Sequence, residues 1–422
     1  PGKKDAREAV VGALEIEREW MYVTDRSNED YYDLRAWTPE DGWREDAFQT
    51  VRERMVAELD GHATKAETNH VVHLLANRHP VHSSELDAAG DARTLIPFAN
   101  GVLHLESVEL DADGHMVPDT GELLEHDPDY RFTTRVEAEW DPDNAAYDVI
   151  DEFIRDITAG EDLTPTPRHV DVKTLWEFAG HSFFRFYHPE GFLLFIGEGG
   201  DGKTVFFRAI TAVLGEDNVS GTPLDAITDG SFSAAEVVDR MANIAPDISG
   251  TIQTDIADLK WMTGADRSQV RPIWKAPYMA ENKATMMFGS NDPPAFTETK
   301  RSLKRRLYPV LAPFTFHDDP DQTDPTQKQK RDKTELLSEL TSPGALAAAA
   351  VRMVEGARRL QTNDEFTLGQ VMGEDKRLEM YQEEADAIAD FTRVCIEPDP
   401  HGPGVALDDL EMAYDAYAVE ND

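Results

Sequence analysis

Cysteine is almost absent: Cys395 stands alone among 422 residues. An internal disulfide framework and a zinc site built on several cysteines are thereby excluded. Lysine is scarce too, with 14 against 27 arginines. No apolar run approaches the roughly 20 residues that span a bilayer. The opening PGKKDAREAV has no signal-peptide core and no initiator methionine. A soluble, intracellular, cytoplasmic chain is expected, and one trimmed from a longer protein.

Bases are outnumbered two to one. The 82 acids against 41 bases leave a net charge of −41, spread along the chain rather than gathered in a tail. Such a surface repels itself in dilute buffer, and molar salt relieves the repulsion. The spread of acids with so little lysine fits a high-salt cytoplasm, as in haloarchaea, better than mere acidity. A polyanionic partner must then be sought in local charge. The apolar fraction of 40% and the seven tryptophans supply enough for several cores.

Patterning predicts three regions: a mostly helical amino-terminal domain over 1–185, an α/β block over 186–320, and a helical region over 321–422. In the first, YYDLRAWTPEDGW carries a turn signal, AETNHVVHLLANR reads as a helix, and TLIPFANGVLHLES reads as two strands about Asn100-Gly101. AAYDVIDEFIRDI and VKTLWEFAGHSFF also read as helices. Residues 317–335, rich in Pro and Asp, read as a linker or exposed loop. GALAAAAVRMVEGARRLQ and EDKRLEMYQEEADAIADFTRVCI are helices in the third region.

FIGEGGDGKT, residues 195–204, has the form of a phosphate-holding loop. Gly197, Gly202, Lys203 and Thr204 satisfy G-x-x-x-x-G-K-[ST]. Glycines let backbone N–H groups turn towards phosphates, the lysine reaches the β/γ oxygens, and the threonine hydroxyl ligates Mg²⁺. The loop residues Glu198, Gly199, Gly200, Asp201 and Val205 complete the expected cofactor-binding set. FLLFI before it reads as a buried parallel strand. KTVFFRAITAVLG after it reads as a helix with Phe206, Ile210, Val213 and Leu214 on one face and Gly215 as terminator.

The next hundred residues narrow the use of the nucleotide. RMANIAPDISG is a short strand ending at Asp247, placed to hold a Mg²⁺ water shell or simply to cap a turn after Pro246. ATMMFGSND ends in Asn291, placed to orient an attacking water or to begin an Asn-Asp-Pro-Pro turn. Arg305 and Arg306 precede another strand, as a finger for a neighbouring subunit or as a solvated face. Residues 260–306 hold ten bases (260, 267, 271, 275, 283, 300, 301, 304, 305, 306) against four acids. That local +6 in a −41 chain marks one basic track for a polyanion. Trp261, Trp274 and Tyr278 within it either stack on bases or pack in the core.

In order, GEGGDGKT, ANIAPDISG, DLKWMTGADRSQVRPIWKAPY, MMFGSNDPP and SLKRRLYPVLAPFTF resemble the superfamily-3 helicases, specifically the primase-helicases of poxviruses, phages and plasmids. The resemblance is dense over 197–306 and looser outside, where FANGVLHLES and LWEFAGHSFF look like the domain before the motor. ADAIADFTRVCI and LDDLEMAYDAY look like the start of a winged-helix region. It implies a P-loop, AAA+-like α/β core that hydrolyses ATP with Mg²⁺ in a homohexameric ring on single-stranded DNA at a replication fork, with a primase domain as a possible companion. Lys203 and Thr204 then hold triphosphate and metal, Asp247 the metal, and Asn291 the γ-phosphate surroundings. Arg306 best matches the finger acting in trans, with Arg305 in reserve. Lys260, Thr263, Gly264 and Asp266 lead into a pore hairpin, Lys275 grips DNA, and Lys283 extends the DNA-binding set.

Two departures bear on activity. Asp201 stands where this family usually has Asn, and an acid among phosphates is unfavourable unless paired or covered by metal or salt. Ile248 follows Asp247 where many members carry a second acid. The general base is left among Asp247, Asp255 and Glu198. A DNA loader or initiator ring that does not unwind, and a hydrolysis-deficient scaffold, are the competing readings.

Overall fold

The structure is a computed structural model. It describes residues 3–26, 33–40, 42–44, 47–58, 63–87, 94–158, 163–228, 231–248, 257–271, 277–291 and 301–385, with a few single positions besides. Cys395, Asp255, Trp274, Lys275 and most of the expected winged-helix start lie outside the described residues.

The amino-terminal part is helical with two small sheets. Helix α1 (Lys3–Glu17) leads to β1 (Glu19–Val23), β2 (Leu34–Thr38) and β3 (Gly42–Arg44), then α2 (Ala47–Glu58), α3 (Lys65–Arg78) and β4 (Pro80–Val81). The strand order is β3-β2-β1-β4. The aromatic patch resolves into a β2–β3 pair with Trp37 opposite Trp43, turning where PEDG predicts. Thr64 and Glu67 form a reciprocal capping box on α3. Val11, Leu14, Trp20, Val51 and Leu75 make a core of their own.

Next come β5 (Leu95–Phe98), β6 (Gly101–His104) and β7 (Leu123–Leu124), then α4 (Tyr147–Ile157) and α5 (Arg168–His181). The β5–β6 turn is shifted from the expected Asn100-Gly101: Gly101 pairs with Phe98 inside the ladder. Glycine is needed there for close approach, since a Cβ would lie 2.7 Å from Leu123 Cγ and 2.8 Å from the Leu124 carbonyl oxygen. Asn100 instead brackets Trp140, donating to its carbonyl at 3.0 Å and accepting from its N–H at 2.8 Å.

The central block alternates strand and helix. In chain order it holds β8 (Phe192–Ile196), α6 (Lys203–Leu214), β9 (Val219–Ser220), α7 (Leu224–Thr228), α8 (Ser231–Val237), β10 (Ala242–Ala245) and α9 (Ala257–Met262). The hairpin β11 (Arg267–Val270) and β12 (Tyr278–Glu281) follows, then β13 (Thr285–Ser290), α10 (Arg301–Lys304) and β14 (Leu307–Leu311). Five strands form one sheet in the order β14-β8-β13-β10-β9, and every pairing in it is parallel. Strand β8 is apolar throughout because both its faces are covered. Leu193 and Phe195 enter the core shared with α5 and α6. Phe192, Leu194 and Ile196 enter the core on the other face.

That first core also includes Ile96, Phe98, Val136 and Trp140, and it runs on to Leu360 and Met380. The packing is thus continuous across residue 185. Residues 317–335, expected as a linker or exposed loop, are largely exposed and carry some regular structure: β15 (Thr315–His317) pairs in parallel with β16 (Gln327–Gln329), and α11 (Lys333–Leu340) begins within the segment. Asp321 and Asp324 side chains fold that stretch by accepting from backbone N–H groups two residues on. Helix α12 (Pro343–Asn363) crosses α5 with backbones in contact; α13 (Thr367–Val371) and α14 (Glu374–Ala385) follow. A Cβ on Gly180 would lie 2.6 Å from Ala357 N, and one on Gly356 would lie 2.6 Å from Trp176 C. Among the described residues no helix is long and apolar enough to cross a membrane.

Candidate functional site

Strand register brings the site together at the carboxyl ends of the parallel sheet. Ser290 pairs with Ile196, so Asn291 emerges beside Gly197. Ala245 pairs with Phe288, so Asp247, two residues later, emerges beside Ser290. The chain leaves β8 towards β9 on one side and reaches β14 on the other, which makes β8 the topological switch point where α/β sheets bind ligands.

The loop after β8 is held open by glycines with φ of +93° (Gly199), +66° (Gly200) and +91° (Gly202), values that side-chain-bearing residues seldom adopt. Its surroundings hold it too. The Phe316 N–H donates to the Gly200 carbonyl at 3.0 Å, and a Cβ on Gly202 would run into the Ile157 side chain. The N–H groups of Gly200, Asp201 and Gly202 have no acceptor among the described residues, and α6 begins immediately after. Amides without acceptors next to a helix amino terminus are groups able to hold an anion.

Lys203 is buried. Its ammonium donates to the Gly197 carbonyl at 2.9 Å, to Asn291 Oδ1 at 3.0 Å and to Asp201 Oδ2. Burial lowers the Lys203 pKa, against the opposing pull of Asp201 and Asp247. The unusual Asp201 is therefore paired: it also accepts from Lys203 N at 3.1 Å and Gly199 N at 3.3 Å. Thr204 is half-buried, and Glu198 and Asp247 are exposed at the rim. Ile248 points the other way, into the core, with its N–H bonded to Gly289 O at 2.9 Å. Both residues follow the end of β10 at Ala245, and there the chain turns Asp247 outward and Ile248 inward. No group of three or more His, Cys, Asp or Glu side chains suited to a metal exists among the described residues.

The basic residues fall at the opposite end of the sheet. Arg306 immediately precedes β14, and its carbonyl accepts from Phe192 N at 2.7 Å, so it flanks the start of β8. Its side chain is 5% exposed and reaches Glu190 at 2.8 Å, whereas Arg305 is 50% exposed and reaches the same carboxylate at 3.0 Å. Burial lowers the Arg306 pKa, against Glu190. Gly264 lies against this cluster, since a Cβ there would be 3.2 Å from Arg306 Nη2. Thr263 is buried and donates to Leu259 O at 2.6 Å, ending α9. Lys260 is half-buried on α9. Lys283 pairs at 3.0 Å with buried Asp87, which also meets Arg185 at 3.4 Å. Despite its own burial, Asp87 is held well below the carboxylate range by those two cations. The two described aromatics of this stretch pack rather than project: Trp261 is buried, and the Tyr278 hydroxyl bonds Asp239 at 3.1 Å.

The expected residues thus form two groups, Lys203, Asn291 and Asp247 at one end and Arg305, Arg306 and Lys283 at the other. Glu190, Phe316 and Ile157 were missed. Phe316 closes the SLKRRLYPVLAPFTF stretch without having been singled out, and each of the three acts through a contact made by folding.

A mixed α/β chain with a glycine loop at the switch point of a parallel sheet is the class these features define. Residues 195–306 match a family described as a family of unknown function (DUF5906). That interval begins inside β8 and ends at Arg306. Residues 13–159 match a family described as D5 N terminal like. Among solved structures, the NrS-1 C terminal region (305–718) aligns at 11% identity and a TM-score of 0.45, over 96% of this chain and 85% of that one. A JCV helicase with a bound acetamide compound aligns at 12% identity and a TM-score of 0.24, over 56% and 68%.

Proposed function

We propose that the chain is the ATP-hydrolysing DNA helicase module of a replication primase-helicase, working as a homohexameric ring on single-stranded DNA. The observation that carries this is the convergence of Lys203, Asn291 and Asp247 on one glycine loop at the carboxyl ends of a parallel sheet. The D5 N terminal like segment over 13–159 agrees with it. ATP phosphates would lie along residues 197–205, with Lys203 on the β/γ oxygens. Mg²⁺, bound through Thr204, Asp247, phosphate and water, would neutralise charge at the transferring group; a few protein ligands suffice for this ion. Asn291 would orient water once the lysine shifts to phosphate. The general base is Asp247 or Glu198 among the described candidates.

The arginines lie a strand's length from the loop, roughly 16 Å for five residues, so they would serve the phosphates of a neighbouring subunit. Exposure favours Arg305 over the sequence's first choice, Arg306, as that finger. Arg305→Ala is expected to lower ATP turnover at least ~100-fold with stability changed by under ~0.5 kcal/mol. Arg306→Ala is expected to cost about 1–3 kcal/mol of stability, because it removes a buried side chain with its bonds to Glu190 and the Ser302 carbonyl. Thermal melts beside turnover decide this; unchanged turnover in Arg305→Ala would remove the trans role from that residue.

The whole reading is tested by steady-state ATP hydrolysis in molar KCl with Mg²⁺, with and without single-stranded DNA, followed by displacement of a forked duplex. DNA-stimulated hydrolysis with displacement is expected. Stimulation without displacement would turn the reading to a loader ring. Nucleotide binding without turnover would favour a scaffold, the reading that buried Ile248 supports by leaving no second acid beside Asp247.

A further inference from the structure

A lysine ammonium has three N–H donors, and all three of Lys203 are engaged within the chain, by Gly197 O, Asn291 Oδ1 and Asp201 Oδ2. A phosphate must displace one of them. Asp201 differs from the other two in carrying negative charge, and its position resembles that of an anion ligand. One oxygen accepts from Lys203 N at the start of α6, and the other accepts from Gly199 N and the ammonium. The side chain is 4% exposed and sits directly over Gly197, where a Cβ would collide with it.

We propose that the Asp201 carboxylate is a built-in competitor of nucleotide phosphates for Lys203: it holds the ammonium and must release it before a triphosphate engages. This rests on reading residues 197–205 as a nucleotide loop, and it adds a residue that sets affinity there. A carboxylate that stayed beside the incoming phosphates would repel them in a poorly screened setting. One that leaves must break hydrogen bonds to a cation, among the stronger in proteins. Either way the wild-type loop binds more weakly than it could. Asparagine at 201 keeps the shape and an acceptor for the Lys203 N–H, and it removes the charge.

The test is calorimetric titration of the 422-residue chain with Mg·ATP, and separately with inorganic pyrophosphate, in molar KCl, with a melt recorded for each variant. Asp201→Asn is expected to bind both ligands about tenfold to a hundredfold tighter than wild type, as loss of a charge-assisted bond allows. Asp201→Ser, expected to gain in the same direction, decides the matter if the first variant shows no cooperative melt. Asp318→Asn removes an acid that is 87% exposed, two residues after Phe316, and is expected to change affinity less than about twofold. Equal or weaker binding by folded Asp201→Asn, or a gain of the same size in Asp318→Asn, overturns the competitor role while leaving the nucleotide reading in place. Binding in Asp201→Asn but not in wild type supports it outright. Failure of both folded proteins to bind overturns the nucleotide reading itself, and the inference with it.

Discussion

Lys203→Ala is expected to reduce ATP hydrolysis to background, a loss of more than about 100-fold. The reason is positional. Lys203 stands at the first turn of α6, its ammonium buried among Gly197 O, Asn291 and Asp201, so its removal takes a cation from the heart of the loop. The same substitution leaves the Asp201 carboxylate buried without its cation, which costs about 1–3 kcal/mol or more. A melt is therefore needed beside the kinetic assay. The double variant Lys203→Ala with Asp201→Asn removes both charges, and is expected to regain stability without regaining turnover. Turnover persisting in the single variant would mean that hydrolysis occurs elsewhere.

Asp171→Asn is expected to stabilise the fold, and increasingly so as pH rises. Asp171 lies in the first turns of α5, is buried, and has no hydrogen-bond partner for either carboxylate oxygen. Burial alone pushes its pKa up to about 8. The folded state therefore binds this proton more tightly than the unfolded chain, whose aspartates titrate near ~3.9. Below about pH 4 both states are protonated and the group adds no pH dependence, leaving only the cost of burying a neutral carboxyl without partners. Between about pH 4 and 8 the unfolded state alone ionises, and stability falls by up to ~1.4 kcal/mol per pH unit. Above about pH 8 the loss is complete. Denaturant melts at pH 5, 6.5 and 8 should show the gap between variant and wild type widening by several kcal/mol in total. A constant gap would mean that the carboxylate is ionised, and satisfied, throughout.

Several parts of the site were readable as sequence because their causes are local. FLLFI followed by glycines at fixed spacing and then KTVFFRAITAVLG specifies strand, loop and helix through periodicity and backbone freedom, and the observed bounds of β8 and α6 agree. The strands before Asp247 and Asn291 were legible for the same reason, although β10 stops at Ala245 and β13 at Ser290, short of the residues expected to end them. The β5–β6 turn was misplaced by one residue, because Gly101 answers to β7, which lies 22 positions downstream at Leu123. The segment 317–335 looked like a linker or exposed loop because Asp and Pro signal turns; those turns pair β15 with β16, and Phe316 of β15 bonds the glycine loop at Gly200.

The amino acids alone determined the chain's charge, the exclusion of an internal disulfide, its run of α and β elements and the residue types gathered at 197–204. Only the tertiary structure decided that Lys203 meets Asp201 and Asn291, that Arg306 is buried against Glu190 while Arg305 faces outward, and that Lys283 is tied to Asp87. It also decided that α5 and α12 touch backbone to backbone at Gly180 and Gly356. Propensity and periodicity act over a few residues and are written in short stretches of sequence. Pairing, burial and exposure depend on which distant segment covers a side chain, and that is settled only when the sheet stacks its helices.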